Sequence, residues 1–206
     1  MCSVPLHKLT KKGFFATIKH MDKKELILGE AEKLFAEKGY YGLGLAELLK
    51  RCEIPKGSFY YYFPDGKIQL IQEVLKTSYL RMRNHIDCRT RSMPSALAAF
   101  EIMADNLAGG VTMKRHFASL LLSMIAIESV YLDDRVNETC KWIYTDWQKL
   151  YAEHLMYFGF EEEESVVKAQ AIFALIHGSM ISSWIKQDPT DLQLAKRSLR
   201  DIIGSR

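Results

Sequence analysis

A short run of residues, 55–63, brings together the side chains best suited to binding an anionic surface. Lys56 supplies a cation at the start of a predicted helix, and Gly57 and Ser58 are small enough to let that helix end approach a partner closely. Three consecutive tyrosines follow, Tyr60, Tyr61 and Tyr62. Neighbouring residues on a helix point about 100° apart, so the three rings cannot all face inward. At least one is expected to be exposed and available for contact with phosphates or bases.

Two short helices are predicted to position these side chains. Apolar residues from Leu45 to Cys52 repeat at i, i+3, i+4 and i+7, which indicates a first helix of about two turns. After a tight connection at Glu53, Pro55 suits the first position of a second helix, because its missing N–H would be unsatisfied there anyway. That helix should end near Phe63. The spacing is typical of a helix-turn-helix that binds the DNA major groove, although a plain three-helix unit with an aromatic surface also fits it.

The rest of the chain also shows helical periodicity. A helix from Asp22 is expected to stop at Gly39 in a left-handed C-cap, and a long helix should cover residues 67–89. Further helices are predicted near 95–108, 114–129, 133–158, 162–186 and 190–203, with breaks that include the Gly109-Gly110 pair. No alternating strand pattern of useful length is present. The predicted class is all-α with about nine helices.

Composition excludes several classes of protein. The 206 residues are 48% hydrophobic and 26% charged, which are globular values and argue against collagen-like or disordered chains. The longest strongly apolar stretch is too short to span a bilayer. The four cysteines are scattered and form no CxxC pair, so we expect reduced thiols and a cytoplasmic protein.

Charge is unevenly distributed along the chain. Residues 1–91 hold 17 Lys and Arg against 10 Asp and Glu, whereas residues 92–206 hold 11 against 15. A basic front half suggests an anionic partner there, although a solvated charged surface is not excluded. Residues 1–20 hold four of the lysines and no acid. They are expected to form a flexible basic extension, with a DNA-contacting arm and a short packed helix as alternatives.

Residues 28–70 resemble the N-terminal domain of the TetR family of bacterial transcriptional repressors. The resemblance rests on "AEKLFAEKGY" and on "PKGSFYYYFPDGKIQL", in which the aromatic run followed by Lys67 is the strongest mark. The "FPDGK" form, one residue longer than the common family form, is similar to a branch that includes lincomycin- and flavonoid-responsive repressors. The stretches 147–159 and "AQAIFALIHGSM" resemble that branch more weakly.

This resemblance implies a cytoplasmic homodimer. Residues 21–66 would form the DNA-binding domain, and residues 67–206 the ligand-binding and dimerisation domain, with 67–89 as the connecting helix. A small apolar or aromatic effector would release the protein from a palindromic operator. The implied DNA contacts are Lys56, Gly57, Ser58, Tyr60, Tyr62 and Lys67, with Tyr61 as a further candidate. Glu53 departs from the family pattern, because glycine usually fills that turn position.

The rear half contains the candidate ligand contacts. Large, adaptable apolar residues can pack around varied ligands, and the selected candidates are Phe117, Met124, Trp147, Phe173 and His177. Ordinary core packing is the alternative for each aromatic or methionine. His177 either offers a polar group inside a pocket or is satisfied by a backbone carbonyl.

The last two predicted helices, 162–186 and 190–203, are the candidate dimer interface. The first of them is apolar almost all round, so it should be buried on more than one side. Burial within one chain is the alternative to a partner subunit.

No catalytic or metal-binding pattern is recognisable. His85 and Cys88 are neighbours at i, i+3, but no further ligands with suitable spacing follow. We therefore expect no enzyme activity, cofactor, metal or membrane partner. A ligand-responsive, dimeric DNA-binding repressor is the leading hypothesis. The alternatives are an all-helical small-molecule-binding protein or a protein-interaction module, each with a vestigial DNA-binding head.

Overall fold

A computed structural model of the chain describes residues 23–113 and 118–204. Those residues form nine α-helices and no strand, which confirms the predicted all-α class. The helices are α1 (Lys23–Gly42), α2 (Leu45–Arg51), α3 (Lys56–Tyr62), α4 (Gly66–Arg91), α5 (Ala96–Thr112), α6 (Ala118–Ser129), α7 (Asp134–Tyr157), α8 (Glu162–Lys186) and α9 (Thr190–Ile203). The predicted N-terminal extension and the candidate ligand contact Phe117 lie outside the described residues.

Helix boundaries follow local sequence signals over most of the chain. Helices α8 and α9 begin and end at the predicted residues, and α2, α3, α4 and α7 differ from the prediction by only one or two residues. Gly39 has the positive φ expected of a helix stop, 67°, but its ψ is −177° and α1 continues to Gly42 beyond the kink. Pro55 is the N-cap of α3, one residue before the predicted position.

The predicted break at Gly109-Gly110 is wrong, because α5 continues through both glycines to Thr112. Each glycine in a helix interior costs about 1 kcal/mol relative to alanine. Tertiary packing offsets this cost. Val111 is buried in a small apolar cluster with Met180 of α8 and Leu192 of α9, and this holds the last turn of α5 in helical form.

One continuous apolar core joins the head, which we define as α1–α3, to the body, α5–α9. Helix α4 is fixed to both. The Ser78 hydroxyl donates a hydrogen bond of 2.7 Å to Glu32 Oε1 on α1, and the Tyr79 hydroxyl donates one of 2.6 Å to Asp146 Oδ2 on α7. A movement of α4 within the body would therefore also act on the head.

Helix α8 is long and apolar enough to cross a membrane by length and composition alone, a test that core helices also pass. Here it packs against α7 and α9. Ile172, Ile176 and Met180 are buried on its inner side, so packing within the protein accounts for much of its apolar character.

Candidate nucleic-acid interface and ligand cavity

Helix α3 has one buried face and one face in solvent. Phe59 and Phe63 are fully buried one helical turn apart, and their rings stack with centroids 5.4 Å apart. Tyr62 is half-buried and packs against the same core. These three aromatic residues anchor the helix and fix which of its side chains point outward.

The outward face carries a cation, small residues and phenol groups. Tyr61 is 80% exposed and Tyr60 is 43% exposed, which confirms that the three tyrosines cannot all be buried. Lys56 is exposed, with Nζ 5.9 Å from the centre of the Tyr60 ring. Gly57 is also exposed, and no described atom lies within 4 Å of where a Cβ would stand. Ser58 is half-buried beside them. This surface can approach a nucleic acid closely.

The turn between α2 and α3 keeps its shape without a glycine. Glu53 has a φ of 52°, in the left-handed region. Its backbone N–H donates to the Lys50 carbonyl over 3.3 Å, and that of Ile54 donates to the Leu49 carbonyl over 3.1 Å. A left-handed residue other than glycine costs roughly 1 kcal/mol. The head therefore keeps this turn geometry at a cost in stability.

The additional residue in "FPDGK" is accommodated at Gly66, which has a φ of 67° and begins α4. The adjacent Lys67 is half-buried. Its Nζ donates a hydrogen bond of 3.0 Å to the Leu43 carbonyl and lies 4.2 Å from the centre of the Tyr40 ring. Burial lowers the pKa of this ammonium, and the negative charge of Glu128 partly opposes the shift. Lys67 thus ties α4 to the segment between α1 and α2, and its contact with a DNA phosphate stays a prediction.

A cavity of about 530 Å³ lies in the body. Helices α4, α5, α7 and α8 form its walls, together with the beginning of α6. The described lining residues are mostly apolar, with a few polar or charged groups: Met82, His85, Ile86, Arg89, Met103, Asp105, Asn106, Leu107, Gly109, Gly110, Met113, Ala118, Ser119, Trp147, Tyr151, Ile176, His177 and Met180. Such a lining suits a small molecule with an apolar body.

Two of the predicted ligand contacts, Trp147 and His177, line this cavity. Their rings meet edge to face with centroids 4.4 Å apart. His177 is only 7% exposed, and burial lowers its pKa to about 4. Its Nδ1 lies 2.9 Å from the Phe173 carbonyl oxygen, whereas its Nε2 is buried with no hydrogen-bond partner among the described residues. His177 therefore fits both alternatives considered from the sequence: Nδ1 is satisfied by a backbone carbonyl, and the side chain is also a polar group in the lining of a cavity.

The other predicted contacts are placed differently. Phe173 is not part of the cavity lining, but its ring stacks on that of His177 with centroids 3.8 Å apart. Met124 is half-buried on α6 and is not part of the cavity lining. Direct ligand contact by these two residues stays a prediction.

Sequence reasoning missed the contribution of α4 to the cavity. Met82, Ile86 and Arg89 line it from this helix, at the spacing i, i+4, i+7. That spacing was visible in the sequence, but it fits any amphipathic helix. Only the packing of α4 against the body shows that this face meets a cavity.

Two family models match the chain. Residues 27–74 match the model of bacterial regulatory proteins of the tetR family, and residues 96–198 match the C-terminal domain of LmrA/YxaF-like transcriptional regulators. The HTH-type transcriptional regulator LmrA of Bacillus subtilis (strain 168) is 28% identical over 183 residues, covering 88% of this chain and 97% of that protein. An uncharacterized HTH-type transcriptional regulator from the lacX 3′ region of Lactococcus lactis subsp. lactis is 30% identical, covering 80% of this chain and 85% of that protein.

A similar solved structure is that of Escherichia coli NemR in its reduced form. It has a TM-score of 0.79 and 22% identity, and the match covers 90% of this chain and all of that one, which shows a shared fold. The NemR sequence from strain K12, named as an HTH-type transcriptional repressor, is 52% identical over 42 residues, 20% of this chain and 21% of that protein.

Proposed function

Because this chain belongs to the TetR family of bacterial transcriptional regulators, we propose that it is a cytoplasmic, ligand-responsive repressor. In this proposal a dimer binds a palindromic operator and is released when a small apolar or aromatic molecule fills the cavity. Regulators of this family bind DNA operators and typically act as dimers without enzymatic activity. The observation that carries the proposal is the solvent face of α3, which lies within the segment that matches the DNA-binding family model.

The side chains on this face suit both parts of DNA recognition. Lysine ammonium groups and tyrosine hydroxyls bind phosphate oxygens and fix the position of a protein on the duplex. Small residues at the beginning of a recognition helix let the backbone approach base edges in the major groove. We assign Lys56, Gly57 and Ser58 to the bases, and Tyr60, Tyr61 and Tyr62 to bases or phosphates. Lys67 would reach a phosphate with the N–H groups that it does not donate to Leu43.

The proposed dimer interface is supported by an unusual exposed face on α8. Val167, Ala171, Ala174 and Gly178 are all exposed and follow one another at spacings of four, three and four residues. Leu194 of α9 is exposed beside this face, in a shallow surface cavity that Gly178 also lines. Small and apolar residues in such a row allow close approach of a second helix. A second copy of the chain would bury this face and set the separation of the two heads.

The route from ligand to DNA is proposed to run through α4. Met82, Ile86 and Arg89 of this helix line the cavity. The same helix begins at Gly66, directly after the loop that follows α3. A ligand that displaces the cavity half of α4 would move the head to which its other half is bonded. The distance between the two recognition helices of a dimer would then no longer match the two half-sites.

DNA binding is tested by fluorescence anisotropy with duplex DNA from immediately upstream of the gene, at two salt concentrations, with a scrambled duplex as control. We expect selective binding that weakens steeply with salt, because phosphate contacts release counterions. Lys56→Ala should reduce operator affinity without changing the oligomeric state. Lys149→Ala removes the same charge from an exposed site on α7 and should have little effect.

Two results would contradict the proposal. Equal and weak binding of both duplexes by the wild type would favour a small-molecule-binding protein or a protein-interaction module with a vestigial head. Equal losses of affinity in the two lysine variants would instead show a general charge effect and remove α3 as the recognition helix.

A further inference from the structure

We infer that His177 is the hydrogen-bond acceptor that selects the effector, so that the cavity takes an uncharged molecule with an apolar body and at least one O–H or N–H donor. This inference rests on the proposed ligand role of the cavity. It adds that the ligand must present a hydrogen-bond donor and that Nε2 of His177 accepts this hydrogen bond.

The hydrogen-bond partner of Nδ1 determines the protonation state of the ring. Nδ1 of His177 lies 2.9 Å from the Phe173 carbonyl oxygen. A carbonyl oxygen can only accept, so Nδ1 must carry the hydrogen and donate it. In a neutral imidazole the other nitrogen then has a free lone pair. Nε2 of His177 is therefore an acceptor.

The ring remains neutral at physiological pH because it is buried. His177 is 7% exposed, and burial lowers its pKa to about 4. Among the described residues, its neighbours are aromatic rings: Phe173 stacks at 3.8 Å, and Trp147 and Tyr144 lie at 4.4 Å and 6.1 Å between centroids. No carboxylate hydrogen-bonds to the ring within the described part of the chain. A charged histidine would have no anionic partner there.

The acceptor on Nε2 is buried and unpartnered among the described residues. A buried polar atom without a hydrogen bond destabilises a protein, because it has lost its contact with water. Nε2 has almost no accessible surface, so a ligand reaches it only when a neighbouring side chain moves aside. A ligand that then donates to Nε2 removes this penalty, and a ligand without a donor leaves it in place. An anionic oxygen would face the lone pair directly and be repelled. The cavity should therefore prefer a hydroxyl over both its methyl ether and a carboxylate on the same ring system.

The charged groups that line the cavity do not alter this preference at Nε2. Asp105 is paired with Lys196 through two oxygen contacts of 2.9 Å, so its charge is largely balanced. Arg89 and His85 are exposed side chains on α4. They can contact a polar tail of the ligand from the solvent side, whereas His177, which is buried, would accept a hydrogen bond from the enclosed part of the ligand.

The test compares 2-naphthol, 2-methoxynaphthalene and 2-naphthoate by isothermal titration calorimetry at neutral pH, with the full chain and no DNA. We expect 2-naphthol to bind about tenfold more tightly than its methyl ether, which corresponds to one neutral hydrogen bond. The naphthoate should bind more weakly than the naphthol. His177→Leu should remove the preference for naphthol over ether, and His177→Gln, whose side-chain oxygen can replace Nε2 as acceptor, should retain part of it.

His85→Leu is the matched control, because it removes a histidine that lines the same cavity from an exposed position. It should retain the full preference for naphthol over ether. Thermal unfolding of each variant checks that the fold is intact. Equal affinities for naphthol and ether in the wild type, or a preference for naphthoate, would overturn the role of His177 while leaving the cavity as a ligand site. Failure of all three probes to bind would contradict the ligand site itself, and DNA binding would remain a separate question.

Discussion

The backbone N–H of Tyr40 donates a hydrogen bond of 3.2 Å to Glu128 Oε2, a residue 88 positions further along the chain. The contact joins the kink at Gly39 in the head to the C-terminal end of α6 in the body. A Cβ at position 39 would lie only 3.2 Å from Glu128 Oε1, so glycine there allows this close approach as well as the positive φ. Since Ala118 at the other end of α6 lines the cavity, this helix connects the cavity to the head.

Glu128→Ala should loosen the attachment of the head to the body. The Tyr40 N–H would lose its acceptor, and one such hydrogen bond is worth about 1 kcal/mol. We expect that decrease in the free energy of unfolding in urea, together with faster hydrogen exchange at the Tyr40 amide. Glu128→Gln keeps a side-chain oxygen and should show smaller changes in both. Unchanged exchange at Tyr40 in the alanine variant would rule out the contact.

Tyr61→Ala should weaken operator binding without affecting stability, because the ring is exposed and contributes little to the core. Loss of one phosphate or base contact should reduce affinity by roughly tenfold. Tyr41 is also a strongly exposed tyrosine in the head but lies on α1, outside the recognition helix. Tyr41→Ala is therefore the control for anisotropy and urea unfolding. Similar affinity losses in both variants would argue against a specific role for Tyr61.

Gly178→Arg should convert a dimer into a monomer, because it places a large cation in the exposed row of small residues on α8. No described atom lies within 4 Å of a Cβ built at this glycine, so the monomer itself can accept the substitution. Sedimentation velocity measures the change. Operator affinity should decrease in parallel, since one subunit contacts only one half-site. Thr145→Arg, at an exposed position on α7, should remain dimeric, and an unaltered Gly178→Arg dimer would exclude this face.

Glu53→Gly should stabilise the head, because Glu53 has a φ of 52°. Glycine relieves left-handed strain but costs more entropy on folding, which leaves a net gain of only about 0.5 kcal/mol in the free energy of unfolding. Glu53→Ala removes the carboxylate but keeps the strain, so it separates the backbone effect from the charge effect. An equal gain from both substitutions would mean that strain at this residue is unimportant.

His177 should make stability depend on pH. Burial lowers its folded-state pKa from 6.5 to about 4, so between these values the unfolded chain binds more protons than the folded one. The free energy of unfolding should therefore fall as pH falls through this window, and the loss levels off below about pH 4. At pH 5 the proton uptake of His177 in the unfolded chain should lower the free energy of unfolding by about 2 kcal/mol relative to neutral pH.

Urea unfolding of the wild type and of His177→Leu at pH 7.5, 6.0 and 5.0 measures this effect. Burial also lowers the pKa of His154, partly opposed by Asp87, and this contribution is present in both proteins. The wild type should lose more stability than the variant between pH 7.5 and 5.0. Identical slopes would show that His177 does not remain neutral in the folded protein.

Local features of the fold were predictable from the sequence because they depend on neighbouring residues. Apolar periodicity located α8 and α9 at their observed bounds, and the 100° spacing of helical side chains required an exposed tyrosine in α3. Prolines and glycines marked the turn before α3 and the kink at Gly39. The presence of one histidine with a backbone partner, His177, was also among the predicted alternatives.

Tertiary structure alone decided the features that join distant segments. Because Val111 is buried within the body, α5 remains helical through a glycine pair that would end an isolated helix. Lys67 donates a hydrogen bond to the Leu43 carbonyl, and the Tyr40 N–H donates one to Glu128, 88 residues further along the chain. The cavity likewise exists only where α4, α5, α7 and α8 come together with the beginning of α6. Periodicity shows which face of a helix is apolar, but the partner of that face is set by how all the helices fill the core together.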